Sequence, residues 1–248
     1  MLLANSAIAV SGVSKGFARK KNVLRDVNLE VRSGELFGLL GPNGVGKTTL
    51  LKMMATLVLP DRGSVSIDGV DAVAKPMLAR SRIGYCSSEE RSFYFRLTAR
   101  QNLRFFGALA GLRGRRLNAR VEETLGEVRL LDAIDRRFGE FSSGMRQRMV
   151  VARALLSDPP ILLFDEPTRA VDPIAADELH RLMRDELVLR RGKTLVLATN
   201  LLQEAWSLCD RVAVVSNGTI AAVGPPEQLN RHQRSPIEFF KEVTGYAV

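Results

Sequence analysis

Gly41-Pro42-Asn43-Gly44-Val45-Gly46-Lys47-Thr48-Thr49 follows the apolar run Glu35 to Leu40 and opens a helical pattern that extends from Lys47 to Leu57. It fits G-x-x-x-x-G-K-[ST] in the strand-to-helix setting that this pattern requires. Gly41, Gly44 and Gly46 let the backbone curl until several N–H groups face one anion, and the helix N-terminus adds its partial positive charge. Lys47 has the reach for β- and γ-phosphates, the Thr48 hydroxyl can ligate Mg²⁺, and Asn43 and Thr49 belong to the same cradle. A plain glycine turn before a helix would have no need of the intact Gly-Lys-Thr.

Downstream, Ile161-Leu162-Leu163-Phe164-Asp165-Glu166 is an apolar run that ends on two carboxylates. Ligands of open α/β sheets bind beyond the C-terminal strand ends. Asp165 is therefore a candidate holder of Mg²⁺, and Glu166 a candidate general base for an attacking water, a role that contributes about 10² to 10⁴ in rate. Acidic strand ends are common, so it is the pairing with the phosphate loop that gives this one weight. A helical stretch from Ile174 to Arg190, the strand Thr194 to Thr199, a short helix and the strand Arg211 to Val215 complete an alternation that implies a mainly parallel sheet. Ile8 to Val13, Val23 to Val31 and Ser64 to Ile67 are further β-rich runs. Between Thr98 and Leu155 the periodicity turns helical, with Leu103, Phe106, Leu109 and Leu112 three apart and a Thr98-x-x-Gln101 capping box. The expectation is an α/β core interrupted by a helical insert.

The 248 residues, 46% hydrophobic and 25% charged, describe a globular chain rather than a disordered one. No apolar run approaches the ~20 residues of a membrane-spanning helix. Met1 to Val10 lacks the basic start of a secretory signal, and Cys86 and Cys209 are the only cysteines, so a reducing cytosol is expected. The net charge of +9 is concentrated: between Glu89 and Arg120, eight arginines stand against two acids and supply six of the nine charges. Such a run fits a solvated surface, nucleic acid, anionic lipid headgroups or an acidic protein partner. His180 and His232 read as surface residues without a catalytic role.

With Phe141-Ser142-Ser143-Gly144-Met145-Arg146-Gln147-Arg148 in view, the sequence resembles the ATP-binding subunits of ABC transporters over about Ile8 to Leu229. That family's signature is usually Leu-Ser-Gly-Gly-Gln. Physically the stretch is a polar turn opening a helix, Met145 to Leu156, whose N-terminus and Ser142 hydroxyl suit a γ-phosphate. The resemblance implies a single domain, 1–248, with a P-loop NTPase (RecA-like) core. Its mainly parallel sheet would carry an antiparallel β portion, with residues 1–88 and 158–248 as catalytic core and 89–157 as helical subdomain. It implies ATP and Mg²⁺ at the site. It further implies that Ser142, Ser143, Gly144 and Met145 grip nucleotide in trans, so that two subunits sandwich two ATP molecules head to tail. Phe17 stands where the family stacks an aromatic on adenine, an ordinary core Phe being the alternative. Asp172 matches the aspartate of the dimer-facing loop, and a plain helix N-cap is its alternative.

Two positions depart from the family. Where it has a metal-contacting Gln, this chain has Ser87-Ser88-Glu89-Glu90-Arg91; counting forward points to Ser88, counting back to Glu89, and Glu89 keeps an oxygen ligand for a hard cation. Where it has a His that contacts the γ-phosphate, this chain has Asn200, which can donate a hydrogen bond but never becomes cationic. Hydrolysis slowed by Asn200 is therefore expected, with an adequate Asn200 as the alternative.

The resemblance implies the ATPase of an exporter acting through a separate membrane permease, with a second ATP-binding subunit in a homodimer or heterodimer and no nucleic acid. The subunit would be cytoplasmic, held peripherally on the inner face of the membrane by the permease. A soluble relative working on nucleic acid or ribosomes, and a nucleotide sensor that scarcely hydrolyses, are the competing readings.

Overall fold

The computed structural model describes residues 6–18, 20–87, 92–169, 171–229 and 235–245. Residues 88–91, and with them Ser88 and Glu89, lie outside the described residues, as does His232.

The chain opens with a long hairpin, β1 (Ser6–Phe17) against β2 (Lys20–Arg32), in which Ile8 pairs with Val31 and Phe17 with Lys20 at the hairpin end. β3 (Leu36–Leu40) then enters a second sheet and leads through the glycine loop into α1 (Lys47–Met54). β4 (Arg62–Ile67) returns to pair antiparallel with β1, and the short β5 (Val70–Asp71) pairs with β4, giving a four-stranded sheet of order β2-β1-β4-β5. A short helix, α2 (Pro76–Arg80), precedes β6 (Ile83–Ser87).

The helical insert follows as α3 (Ala99–Leu109), α4 (Gly114–Glu127) and α5 (Ser143–Leu155). The capping box forms as the sequence implies: Thr98 Oγ1 accepts from the Gln101 N–H, and Gln101 Oε1 accepts from the Thr98 N–H. α5 starts at Ser143, two residues earlier than expected, because Ser142 caps it by accepting from the Met145 N–H.

β7 (Ile161–Asp165), α6 (Pro173–Arg181), β8 (Thr194–Thr199), α7 (Leu202–Leu208), β9 (Arg211–Ser216) and β10 (Thr219–Gly224) complete the second sheet, and α8 (Pro226–Leu229) and α9 (Pro236–Thr244) close the chain. The order is β10-β9-β3-β8-β7-β6, parallel except for the antiparallel β10 at its edge. β3, β7 and β8 are buried at every position, which explains their unbroken apolar runs. The expected helix from Ile174 to Arg190 is in fact two pieces, since Leu182–Arg190 is a π-helix continuing α6. Its buried residues are Leu182, Met183, Leu187 and Val188. A spacing of five falls off one face of a 3.6-residue helix, whereas i→i+5 bonding returns it to the core.

One hydrophobic cluster joins one face of the parallel sheet to α3, α4, α5 and the π-helical run, and a second joins the other face to α1 and the hairpin sheet. Among the described residues no helix is long and apolar enough to cross a membrane.

The basic run is less uniform than its sequence. Arg120 is buried, with its guanidinium donating to the carbonyls of Leu155 and Leu156 and pairing with Glu123 and Glu127, each at 2.9 Å. Arg100 pairs with Asp135 and Glu122. These two belong to the fold rather than to a docking face. Arg96, Arg104, Arg113, Arg115 and Arg116 are exposed and make no ion pair among the described residues.

Candidate active site

Register brings the site together. Ser87, Asp165, Ala198 and Leu39 are partners across neighbouring parallel strands. The chain segments after β3, β7 and β8 therefore leave the same sheet edge, carrying the glycine loop, Glu166 and Asn200.

A cavity of about 810 Å³ opens there. Asn43, Gly44, Gly46, Lys47, Thr48 and Thr49 line one side, and Asp165 and Glu166 another, with Phe17 at the rim. Gly46 has φ of 115°, and a Cβ on it would come within 2.6 Å of Leu24 Cδ2, so this step of the loop needs glycine. Gly41 lies behind the lining, where a Cβ would meet the Val215 carbonyl at 2.5 Å. Lys47 is buried, and its ammonium donates to the carbonyls of Gly41 at 2.7 Å and Pro42 at 3.0 Å. Burial pushes its pKa down, opposed by the charges of Glu166 and Asp165. Phe17 is 47% exposed beside the cavity with Lys15 over its ring, which removes the core alternative.

Thr48 Oγ1 donates to Asp165 Oδ1 at 3.0 Å. Burial raises the Asp165 pKa and the Glu166 charge adds to the rise, while the Thr48 hydrogen bond opposes it. Two hard oxygen donors thus meet at the phosphate end of the cavity, a donor set that fits Mg²⁺, which takes one or two carboxylates and keeps most of its water. Among the described residues no group of three His, Cys, Asp or Glu could hold a metal by itself, so phosphate oxygens and water would complete the shell.

Glu166 adopts φ of 49°, with its N–H bound to the Ala198 carbonyl, and its side chain is 14% exposed. Its Oε2 accepts from Arg169 at 3.2 Å. Arg169 also lines the cavity, and reading the sequence alone gave it no role. The signal was its place three residues after Glu166, where a tight turn brings the two together. Asn200 follows Thr199 at the same sheet edge but does not line the cavity, and among the described residues its side chain makes no hydrogen bond.

Nor do Ser142, Ser143, Gly144 and Met145 line the cavity. A Cβ on Gly144 would lie 2.7 Å from Ala175 Cβ, so the turn that opens α5 abuts the first turn of α6. Asp172 caps α6, its Oδ1 accepting from the N–H groups of Ile174 and Ala175. The signature turn and the Asp172 loop therefore form one surface apart from the chain's own phosphate loop.

His180 is not a plain surface residue. Its Nε2 lies 2.9 Å from Oε1 of the buried Glu204, which also accepts from the Thr168 hydroxyl at 2.7 Å. Burial works against the Glu204 charge, but hydrogen bonds led by His180 prevail and lower its pKa. This brace ties α6 and α7 to the turn after Glu166.

The family model described as ABC transporter matches residues 24–169, more than half of the chain. The ABC transporter ATP-binding protein NatA of Bacillus subtilis is 39% identical over 92% of this chain and 93% of its own. The Nod factor export ATP-binding protein I of Rhizobium sp. (strain N33) is 39% identical over 90% of this chain and 72% of its own. Among solved structures, the dimeric ATP-binding cassette MJ0796 in a post-hydrolysis state with ADP and Pi superposes with a TM-score of 0.77 at 26% identity, covering 88% of this chain and 98% of that one. A P-loop cavity at the edge of a parallel sheet and relatives alike along nearly the whole length lead to one conclusion: the chain belongs to the ABC transporter family, as an ATP-binding subunit with ATPase activity.

Proposed function

We propose that this subunit drives export through a separate membrane permease, closing on a second ATP-binding subunit when ATP binds and reopening after hydrolysis. The observation that carries this reading is the separation of the two phosphate grips. The cavity holds the glycine loop with Asp165 and Glu166, whereas Ser142 to Met145 do not line it, which supports a reading in which a second subunit brings its signature turn to each cavity. Export draws support from the name of the Nod factor relative.

In the chain's own site, loop N–H groups and Lys47 hold the β- and γ-phosphates, and Phe17 stacks on the adenine. Thr48 and Asp165 would hold Mg²⁺, with Glu89 as a further oxygen ligand; when bound, the ion would offset charge on the phosphates. Glu166 takes a proton from the attacking water. Asn200 donates to the γ-phosphate, and Asp172 faces the partner subunit. Residues 89–157 act as the helical subdomain that meets the permease on the inner face of the membrane, and 1–88 with 158–248 as the catalytic core.

The test is recovery of the tagged chain from its native membranes in mild detergent. A multi-span membrane protein and a second ATP-binding subunit, identical or related, should accompany it. Recovery with nucleic acid and no membrane protein would overturn the reading. Reversing Arg113, Arg115 and Arg116 together to Glu should reduce permease recovery by about tenfold or more, since it sets like charges against a complementary acidic face of the partner, while ATP affinity stays unchanged. Loss of ATP affinity instead would place this patch at the nucleotide.

Asn200→His should raise single-turnover hydrolysis by about tenfold, part of the about 10² to 10³ that one well-placed donor contributes. An unchanged rate would show that Asn200 suffices.

A further inference from the structure

Arg169 is the feature that the reading above leaves unused. Lys47 is engaged by two loop carbonyls, and Asn200 brings no charge. Of the cations that line the cavity, Lys47, Lys52 and Arg169, it is Arg169 that pairs with Glu166, with Nη1 3.2 Å from Oε2. Its side chain is 67% exposed, so neighbouring packing does not fix it in that pose. The contact itself occupies the carboxylate that must receive a proton from water. A guanidinium fork binds carboxylate and phosphate oxygens with the same planar geometry. A terminal phosphate carries more negative charge than one carboxylate, so it outcompetes Glu166 for the fork.

We propose that Arg169 is a γ-phosphate-binding residue, paired with Glu166 until ATP enters and drawn from it by the third phosphate. Two effects follow from one movement. The cavity gains a contact that ADP cannot make, and Glu166 Oε2 becomes free to accept from water. Arg169 thereby supplies the positive charge that Asn200 lacks, and it makes release of the base conditional on the triphosphate. The inference rests on the reading of this cavity as the ATP site, and the experiment separates the two.

ATP and ADP affinities of the full chain are measured by displacement of a fluorescent nucleotide in EDTA, where hydrolysis is suppressed, for the wild type and for Arg169→Ala, Arg169→Lys and Lys47→Ala. Arg169→Ala should weaken ATP by about tenfold or more, the range of a hydrogen bond to a charged group, and leave ADP within about twofold. Arg169→Lys should fall between the two, having the charge without the fork. Retained ADP affinity shows that the variant is folded. An unchanged ratio of ATP to ADP affinity in Arg169→Ala, with both nucleotides lost in Lys47→Ala, overturns the proposal and leaves the cavity reading standing. Both affinities intact in Lys47→Ala overturn the cavity reading, and the proposal falls with it.

Discussion

Glu166→Gln should bind ATP and fail to hydrolyse it, with the single-turnover rate falling by about 10² to 10⁴, the contribution of a positioned general base. The substitution keeps the shape of the side chain, which is 14% exposed and held on a backbone turned to φ of 49°. It removes the charge and one acceptor. The cradle of Gly44, Gly46, Lys47 and Thr48 is untouched, so ATP affinity should stay within a few-fold of the wild type. On the proposed cycle, in which hydrolysis reopens the pair of subunits, the variant should also accumulate as an ATP-dependent dimer with its partner subunit, visible by light scattering. A variant that hydrolyses at the wild-type rate would mean that another group takes the proton. Thr48 and Tyr85 both touch Asp165, which would make that neighbour the first to examine.

Arg120→Met should destabilise the protein by about 3 kcal/mol. Breaking a buried pair by removing one partner typically destabilises by about 3 to 5 kcal/mol. The lower end applies here because Glu127 keeps Arg191 at 2.7 Å after Arg120 is gone. The carbonyls of Leu155 and Leu156 also lose their side-chain donor at the end of α5, which loosens the packing of α4 on α5. A urea midpoint that falls at constant slope would report this directly. Adding Glu127→Gln should recover part of the loss, because it removes the buried carboxylate charge that Arg120 no longer neutralises while Arg191 keeps Glu123 at 3.5 Å. A double variant that is less stable than Arg120→Met would assign Glu127 mainly to Arg191.

The glycine loop was legible because its pattern lies in contiguous residues, and so were Asp165 and Glu166, which the end of a fully buried strand brings to the same cavity. The capping box at Thr98 was legible for the same reason, being a local exchange of two hydrogen bonds. Arg120 was not, since in sequence it looks like its seven neighbours in the basic run; only the packing of α4 on α5 sets it apart. The π-helical run was hidden by periodicity, because apolar pairs five apart mimic an imperfect α-helical face. Arg169 and His180 were missed because their partners are chosen by the direction in which a turn or helix points its side chains. That direction is fixed by register between strands far apart in the chain.

That same register orders events in time. β3 takes both of its sheet neighbours, β8 and β9, from the last quarter of the chain. At about 5 to 20 residues per second, the ribosome must work on for on the order of ten seconds or more after Leu40 emerges before Arg211–Ser216 can close the second side of that strand. Throughout that interval a wholly apolar strand and the glycine loop it supports lack their frame, and long-range pairing of this kind is slow in any case. The nascent polypeptide is thus most exposed to misfolding at the segment that carries the proposed nucleotide cradle. Synthesis that stops short of β9 should yield no fragment able to retain ATP.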